Sequence, residues 1–246
     1  MKEPLKTAVD VVPGSLRIYR DKKLGDGVET RFLENSGVYR GSLLFKGDKR
    51  RRRVAVKVYD ARLTEKDMEE ARFFAGELRK RGLPAVKMDF VQDEKGRFHQ
   101  VMPLFVREHC AIKPQQIWRL LEAGKGINVI ANGIAQIVNA DITPKRDLLA
   151  LFPGGRYGYF PLIHDFGIKL PEFAVGGFTL SKEVERIKSG TPLYAGETAV
   201  RLADYVRNCH RDFRKGFYEF LKSKIQREDI KGALEDIVRR TDALNK

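Results

Sequence analysis

The fold is indicated first by Leu162-Ile163-His164-Asp165-Phe166-Gly167, an apolar run that ends in Asp-Phe-Gly. A buried strand that presents a carboxylate at its end and then turns at a glycine suits a metal ion bound to a phosphate chain. A single tripeptide of this kind also occurs at ordinary strand ends, so it decides nothing alone. It is followed by Gly190-Thr191-Pro192-Leu193-Tyr194-Ala195-Gly196-Glu197, and the two stretches have to be interpreted together.

The composition predicts a globular protein in a reducing compartment. A chain of 246 residues that is 42% hydrophobic and 33% charged can form one large domain or two small lobes. It lacks a run of the roughly 18 apolar residues that a membrane-spanning helix needs, and its first residues do not resemble a signal peptide. With only Cys110 and Cys209, neither a disulfide framework nor a cysteine-rich zinc site is expected. A cytoplasmic location follows.

The net charge of +14 predicts attraction to polyanions. Nucleic acid, an acidic protein and an anionic membrane all belong to that class. The densest basic run is Lys49-Arg50-Arg51-Arg52-Arg53. It is interpreted either as a solvated hairpin turn or as a docking site for an acidic protein or another polyanion, and a nuclear-localisation role is a further alternative. Nucleic acid is not required by any motif.

A strand and a helix in the first half carry a candidate ion pair. The β-rich run Val54-Ala55-Val56-Lys57-Val58 contains one lysine, which needs an anionic partner if it is buried. The alternative is an edge strand whose lysine reaches solvent. A helix is predicted between a Thr64 cap and Gly82, and Glu70 lies beside its apolar stripe. Glu70 is therefore the predicted partner of Lys57.

Other patterns complete the outline of the chain. Asp67 and Glu77 remain alternative partners for Lys57, and Glu70 could instead be solvated.

Glycines at 25, 27, 37 and 41 allow the backbone to approach phosphates. The remaining segments predict strands at 90–91 and 98–105, helices at 114–123 and 127–138, short strands at 148–152 and 159–163, and helices from 198 onward.

Four segments together resemble the protein-kinase superfamily. They are residues 37–41, 54–57, 165–167 and 190–197, in the family's order. In the last segment, Gly190, Thr191, Tyr194, Ala195 and Glu197 stand in the order of the family's Gly-Thr-x-x-Tyr-x-Ala-Pro-Glu, and Gly196 replaces the proline. The resemblance implies an α+β, bilobal protein-kinase-like fold. Residues 1–105 would form an N-lobe with an antiparallel β-sheet and one regulatory helix, and residues 106–246 a reduced, mainly helical C-lobe.

The resemblance also implies a nucleotide site in the N-lobe. Lys57, paired with Glu70, would hold the α- and β-phosphates of ATP. Met102 would close the back of the pocket, while the Pro103 carbonyl and the Phe105 N–H would meet adenine. The other nucleotide-contacting residues implied in this way are Gly37, Val38, Ala55 and Leu149.

The stretch from Asn139 to Leu149 resembles the kinase catalytic loop in part. Asp141 would be the base that orients the substrate hydroxyl. Mg²⁺ would be held by Asp165 and a second residue, which falls on Arg146 or Asp147 according to the direction of counting. Because an arginine cannot ligate a metal and an aspartate can, Asp147 is favoured, with a loop one residue longer than usual.

The substitutions in this loop bear on regulation and substrate. Asn139 and Ala140 replace the usual His and Arg, which weakens the expectation of control by phosphorylation. Thr143 stands where Ser/Thr kinases place a lysine. Thr191 would face the catalytic loop, which favours Ser/Thr acceptors, and Glu197 would pair with a late arginine that the sequence does not identify.

The leading hypothesis is an ATP- and magnesium-dependent kinase that transfers the γ-phosphoryl group to Ser or Thr of a protein substrate. The alternative is a pseudokinase, a nucleotide-binding or scaffold module that docks acidic partners through its basic surface. A small-molecule phosphotransferase and a nucleic-acid binder, the latter on charge alone, are further hypotheses. Reduced kinases with short large lobes occur among proteins that bacteria deliver into host cells, so the host cell is a second predicted location.

Overall fold

The computed structural model describes residues 10–25, 37–59, 62–103, 119–144, 149–153, 159–163 and 179–244. The chain is α+β and divides into two compact units. Unit 1 contains residues 1–75 and 86–108, and unit 2 contains residues 76–85 and 109–246. The predicted boundary lies between residues 105 and 106, whereas unit 1 ends at residue 108 and residues 76–85 belong to unit 2.

Unit 1 contains a five-stranded antiparallel sheet. Its strands are β1 (Arg17–Gly25), β2 (Gly37–Leu43), β3 (Arg52–Val58), β4 (Asp89–Gln92) and β5 (Phe98–Pro103). Their order in the sheet is β1-β2-β3-β5-β4. Strands β3, β4 and β5 confirm the predictions made for their segments. Strand β1 was not predicted, because its sequence is mostly charged and shows little apolar alternation.

One face of this sheet covers the hydrophobic core of unit 1. Along β3, Val54, Val56 and Val58 are buried and point to the same side, because side chains alternate along a strand. They belong to one cluster with residues of the neighbouring strands and loops, which are Val11, Leu16, Tyr39, Leu43, Phe45, Val91 and Val101. The intervening residues of β3 therefore lie on the opposite face.

Gly41 is explained by strand packing. A Cβ atom added there would lie 2.5 Å from Val56 Cγ2 and 2.7 Å from the Arg17 carbonyl oxygen. Both distances are far below van der Waals contact, so the close approach of the strands requires a glycine. The interpretation that this glycine serves approach to a phosphate is therefore not needed for Gly41.

Helix α1 (Glu65–Lys80) begins and ends where the sequence predicts. The Asp67 carboxylate accepts hydrogen bonds from the Thr64 N–H at 2.7 Å and the Thr64 hydroxyl at 2.6 Å. In return, Thr64 Oγ1 accepts one from the Asp67 N–H at 3.2 Å. Gly82 ends the helix with a left-handed φ of 75°. The predicted apolar stripe is buried at every position, namely Met68, Ala71, Phe74, Ala75 and Leu78.

The described part of unit 2 consists of helices and a two-stranded antiparallel sheet. The helices after α1 are α2 (Ile127–Asn139), α3 (Leu180–Lys188), α4 (Ala195–Asn208), α5 (Arg211–Lys224) and α6 (Glu228–Thr241). The strands are β6 (Leu149–Pro153) and β7 (Tyr159–Ile163). Helix α2 packs against α5 and lies beside β6 and β7, while α4 packs against α5 and α6. Helix α2, the two strands and the helices after residue 195 confirm the predictions for their segments. Of the helix predicted at 114–123, only residues 119–122 are described and are helical. Helix α3 was not predicted.

Two residues of α5 show how the last helices are held. Phe213, a predicted core residue, is half exposed, and its ring lies over the turn at Gly124. A Cβ atom on Gly124 would lie 2.2 Å from that ring. Arg214 is buried and donates to the carbonyls of Arg207, Cys209 and Ala243 at 3.0 to 3.1 Å. These acceptors lie near the C-terminal ends of α4 and α6, where a cation is favourable.

In the part of the chain that the structure describes, no helix is both long enough and apolar enough to cross a bilayer.

Candidate functional site

Four of the residues predicted to contact the nucleotide lie on one face of the sheet of unit 1, whereas the strand register puts Gly37 and Pro103 on the core-facing side. Val38 is paired with Lys57 across β2 and β3, and Ala55 is paired with Met102 across β3 and β5. Cross-strand partners project to the same side of a sheet, and so do residues two apart in one strand. Val38, Ala55, Lys57 and Met102 therefore share the face opposite the hydrophobic core. This arrangement follows from the register of the strands.

Lys57 is half-buried on this face beside polar and aromatic groups. Its Nζ lies 5.4 Å from the centroid of the Tyr59 ring, and its cross-strand partner on β5 is Gln100. The Tyr59 hydroxyl donates to Gln100 Oε1 at 2.5 Å. Gln100 is 1% exposed, and within the described ranges its amide nitrogen has no hydrogen-bond partner. A buried unsatisfied donor beside an ammonium group favours an oxygen-rich ligand.

The helix carboxylates have different roles. Glu70 Oε1 lies 3.7 Å from Nζ of Lys66, and the Glu70 side chain is largely buried. The alternatives named from the sequence serve the helix itself, since Asp67 forms the cap and Glu77 pairs with Lys80 at 2.8 Å. The Lys57–Glu70 pair stays a prediction.

Several predicted site residues fall outside the described ranges. These are Phe105, Asp147 and Asp165, together with residues 164, 166 and 167 of the Asp-Phe-Gly segment. Pro103 is the last residue of β5 and is paired with Val54, and Gly37 is the first residue of β2 and is paired with Val58. Across the stretches that the structure describes, His, Cys, Asp and Glu form no group of three suited to a metal ion.

The two strands of the small sheet position the residues next to the predicted metal ligands. Leu149 at the start of β6 is paired with Ile163 at the end of β7. Asp147 precedes Leu149 by two residues in the sequence, and Asp165 follows Ile163 by two. The two segments that carry the predicted ligands are therefore attached to the same end of this ladder.

Asp141 in unit 2 is held by donors from four separate parts of the chain. Its backbone is left-handed with a φ of 56°, an uncommon conformation for a residue other than glycine. Oδ1 accepts hydrogen bonds from the Leu193 N–H at 2.8 Å and from Arg227 Nη1 at 3.3 Å. Oδ2 accepts one from Arg186 Nη1 at 3.0 Å and lies 3.6 Å from Arg81 Nη1. A strained backbone held by this many contacts is typical of functional positions.

Arg186 uses all of its donor groups in this network. It makes two hydrogen bonds to the Glu183 carboxylate, one to the Asp141 carboxylate, and one each to the carbonyls of Asp141 and Thr191, all between 2.7 and 3.0 Å. Burial by itself would lower the pKa of Arg186. The hydrogen bonds and charges of Glu183 and Asp141 outweigh burial, so the pKa of Arg186 is raised above its ordinary value.

Two further residues extend the network. Glu183 is 4% exposed and accepts hydrogen bonds from the Thr143 N–H at 3.0 Å and the Thr143 hydroxyl at 2.9 Å. Arg227 donates to the Leu193 carbonyl at 3.0 Å and to the Asp229 carboxylate. The hydrogen bond to Asp229 is the main cause that raises the pKa of Arg227. We call this set the Asp141 network; its residues are Arg81, Asp141, Thr143, Glu183, Arg186, Leu193, Arg227 and Asp229.

The network joins the predicted catalytic loop to the segment 190–197. Leu193 contacts the Asp141 carboxylate directly, and Thr191 is linked to it through Arg186. The Thr191 hydroxyl bonds with that of Ser189 at 2.8 Å. Glu197 is 61% exposed and pairs with Arg201 one turn later in α4 at 2.8 Å. The partner of Glu197 is therefore a near arginine, and the late Arg227 binds Asp141 instead.

The basic run at 49–53 is only partly available to a partner. Arg51 donates through Nε to Ser42 Oγ at 2.9 Å, and also to the Ser15 carbonyl. Arg52 donates to Asp48 at 2.9 Å and covers the Phe45 ring. Within this run Lys49, Arg50 and Arg53 are exposed and Arg51 and Arg52 are half-buried, and the docking of an acidic partner there stays a prediction.

A scan against protein-family models finds no match for this chain, and a search of curated proteins finds no matching relative. The kinase-like interpretation therefore rests on the residues and their geometry.

Proposed function

We propose that the chain is a divergent protein kinase that binds ATP and Mg²⁺ and phosphorylates Ser or Thr of a protein. The observation that carries this proposal is the shared sheet face of Val38, Ala55, Lys57 and Met102. Three apolar side chains suit the flat surface of a purine, and an ammonium group among them suits the phosphates that follow it.

The topology of each unit supports the same proposal. The sheet order β1-β2-β3-β5-β4, with α1 inserted between β3 and β4, fits the N-lobe that the resemblance implies. In unit 2, the pairing of Leu149 with Ile163 supports a shared role for Asp147 and Asp165. These two carboxylates would hold Mg²⁺, which would neutralise phosphate charge during transfer.

Asp141 would accept the hydrogen bond of the substrate hydroxyl and orient it. Its side chain is 31% exposed, so a substrate group can reach it. Arg186 and Arg227 contact the Asp141 carboxylate through hydrogen bonds and would act as positioning residues. They hold the carboxylate against Leu193 without contacting the reacting atoms.

A pseudokinase is the second candidate, favoured by the same carboxylate. Each oxygen of Asp141 already faces two N–H donors, so a substrate hydroxyl would have to displace one of them. Such a protein would bind ATP through the sheet face and serve as a scaffold without turnover.

The test measures ATP binding and phosphoryl transfer separately. Calorimetry with magnesium-ATP compares wild type with Lys57→Met and with the control Lys95→Met, which removes an exposed lysine of the same unit. Only Lys57→Met should lose affinity, by about tenfold or more, because a charge-assisted contact to phosphate is removed. Absence of ATP binding by the wild type would contradict both candidates.

Transfer of radiolabelled phosphate to generic protein acceptors then distinguishes the two candidates. A kinase gives a signal that Asp141→Asn and Asp165→Ala reduce by at least about a hundredfold, with ATP binding retained by Asp141→Asn. If wild type and Asp165→Ala are equally inactive on every acceptor while ATP is bound, the pseudokinase candidate is correct.

A further inference from the structure

The outer part of the same sheet face carries a cluster of exposed basic side chains. Arg17 on β1 and Arg53 on β3 both pair with Ser42 on β2, which lies between them. In the next row, Tyr19 on β1 pairs with Arg40 on β2. Cross-strand partners share a face, so all four side chains project to the side opposite the core. We call Arg17, Tyr19, Arg40 and Arg53 the basic face.

The three arginines of the basic face lie at the protein surface. Among the described residues, none of their guanidinium groups makes a hydrogen bond or an ion pair, and all three side chains are exposed. Arg17 and Arg53 stand two strand spacings apart, which is about 10 Å between backbones. Positive charges gathered in this way on one sheet face attract an anion.

Tyr19 adds an aromatic surface at the centre of these charges. Its ring is 37% exposed, although its hydroxyl lies 3.0 Å from Ser42 Oγ and forms a hydrogen bond with it. Lys22 Nζ lies 5.6 Å from the ring centroid. The ring is therefore anchored through its hydroxyl, partly exposed, and next to the Lys22 ammonium group. That is the arrangement on which unpaired bases stack in proteins that bind single strands.

We infer that the basic face binds single-stranded nucleic acid, with phosphates on Arg17, Arg40 and Arg53 and a base stacked on Tyr19. An acidic peptide would use the charges but not the ring. A duplex would also leave the ring unused, because its bases are already stacked on one another. The inference does not depend on kinase activity, since it concerns side chains outside the predicted nucleotide-contacting set.

The charge part of the inference is tested by salt dependence. Fluorescence anisotropy measures the affinity for labelled oligothymidylate of about 16 nucleotides, from about 50 to about 200 mM KCl. The triple variant Arg17→Gln, Arg40→Gln, Arg53→Gln should reduce the slope of log affinity against log salt by about 2, since each single-strand phosphate contact contributes about 0.7. The control is Arg79→Gln, Arg211→Gln, Arg240→Gln, which removes the same charge at exposed sites of unit 2. If both triple variants reduce the slope equally, only net charge matters and the inference fails.

The ring is tested in the same assay. Tyr19→Leu should weaken binding about tenfold, because one stacked base is lost. Tyr19→Phe, which loses only the hydroxyl, should bind nearly as wild type and shows that the loss in Tyr19→Leu comes from the ring. Two competitors complete the experiment. If polyglutamate or duplex DNA displaces the oligonucleotide as well as an unlabelled single strand does, or if Tyr19→Leu binds unchanged, the partner is not a single strand and the inference is overturned.

Discussion

The sheet face of unit 1 and the Asp141 network of unit 2 use arginine in opposite ways. On the basic face, Arg17, Arg40 and Arg53 are exposed and have no partner among the described residues. In the Asp141 network, all five N–H groups of Arg186 donate hydrogen bonds, which go to two carboxylates and two carbonyls. An arginine whose donors are all satisfied holds the structure together, while one left without acceptors is available to a ligand. The first region is therefore the proposed binding surface, and the second holds Asp141 in position.

The largest effect expected from this comparison is at Arg186. Arg186→Ala leaves the buried Glu183 carboxylate without its cation and removes a donor from Asp141. Breaking a pair of this kind costs about 3 kcal/mol, because a buried charge is left uncompensated. Urea unfolding followed by circular dichroism measures the change in the free energy of unfolding.

Two variants sharpen the interpretation of that loss. Arg186→Lys keeps the charge but cannot form five hydrogen bonds, so it should recover only part of the stability. Arg53→Ala removes an exposed arginine of the basic face and should change the free energy of unfolding by less than about 0.5 kcal/mol. If Arg53→Ala costs as much as Arg186→Ala, the distinction between the two regions is wrong.

The sequence predicts strand β3 of the first region but not β1, which carries Arg17 and Tyr19. The alternation of side chains along β3 puts Val54, Val56 and Val58 on the core face and Ala55 and Lys57 on the other face. The Asp141 network joins residues separated by 45, 52 and 86 positions, and contacts between distant side chains leave no local pattern. The half-buried Arg51 and Arg52 could not be distinguished from the exposed Arg53 either, because the three are identical residues in one uninterrupted basic run.

An effect of intermediate size is expected at Gly41. Substitutions at Gly41 and Gly76 test whether close packing of the strands requires a glycine at position 41. Gly41→Ala forces a Cβ atom to within 2.5 Å of Val56 and 2.7 Å of the Arg17 carbonyl, so it should destabilise the protein by about 2 kcal/mol. Gly76 lies inside α1 with open space around its Cα. Gly76→Ala should therefore stabilise the protein by about 0.5–1 kcal/mol.

The two glycine variants are compared by thermal unfolding without any ligand. Opposite signs of the change in Tm support the packing role of Gly41. An unchanged Tm for Gly41→Ala would instead indicate that Gly41 allows the backbone to approach a phosphate. Gly41→Ala would then lower the affinity for ATP.

The smallest expected effect is at Asp93 of unit 1, which accepts several hydrogen bonds, as Asp141 does in unit 2. In the turn between β4 and β5, the Asp93 carboxylate bonds with His99 Nε2 at 3.0 Å and accepts the N–H groups of Lys95 and Arg97 at 2.9 Å. Burial would raise the pKa of Asp93, but these hydrogen bonds outweigh it and hold the pKa below its ordinary value of 3.8. A carboxylate with a lowered folded-state pKa adds stability above pH 3.8, and this contribution disappears as the pH falls through the folded pKa.

Asp93→Asn keeps an acceptor for the turn but removes the charge, so it should lose about 1 kcal/mol at neutral pH. The difference in unfolding free energy between wild type and Asp93→Asn should shrink towards zero in acid, below the ordinary carboxyl pKa of 3.8. His99→Gln should reduce that pH dependence, because it removes the ring that stabilises the carboxylate. A difference that stays constant down to the acid limit would mean that the turn depends on the shape of the side chain alone. The charged groups of unit 1 would then contribute to ligand binding and not to its stability, unlike the charges of Arg186 and Asp141 in unit 2.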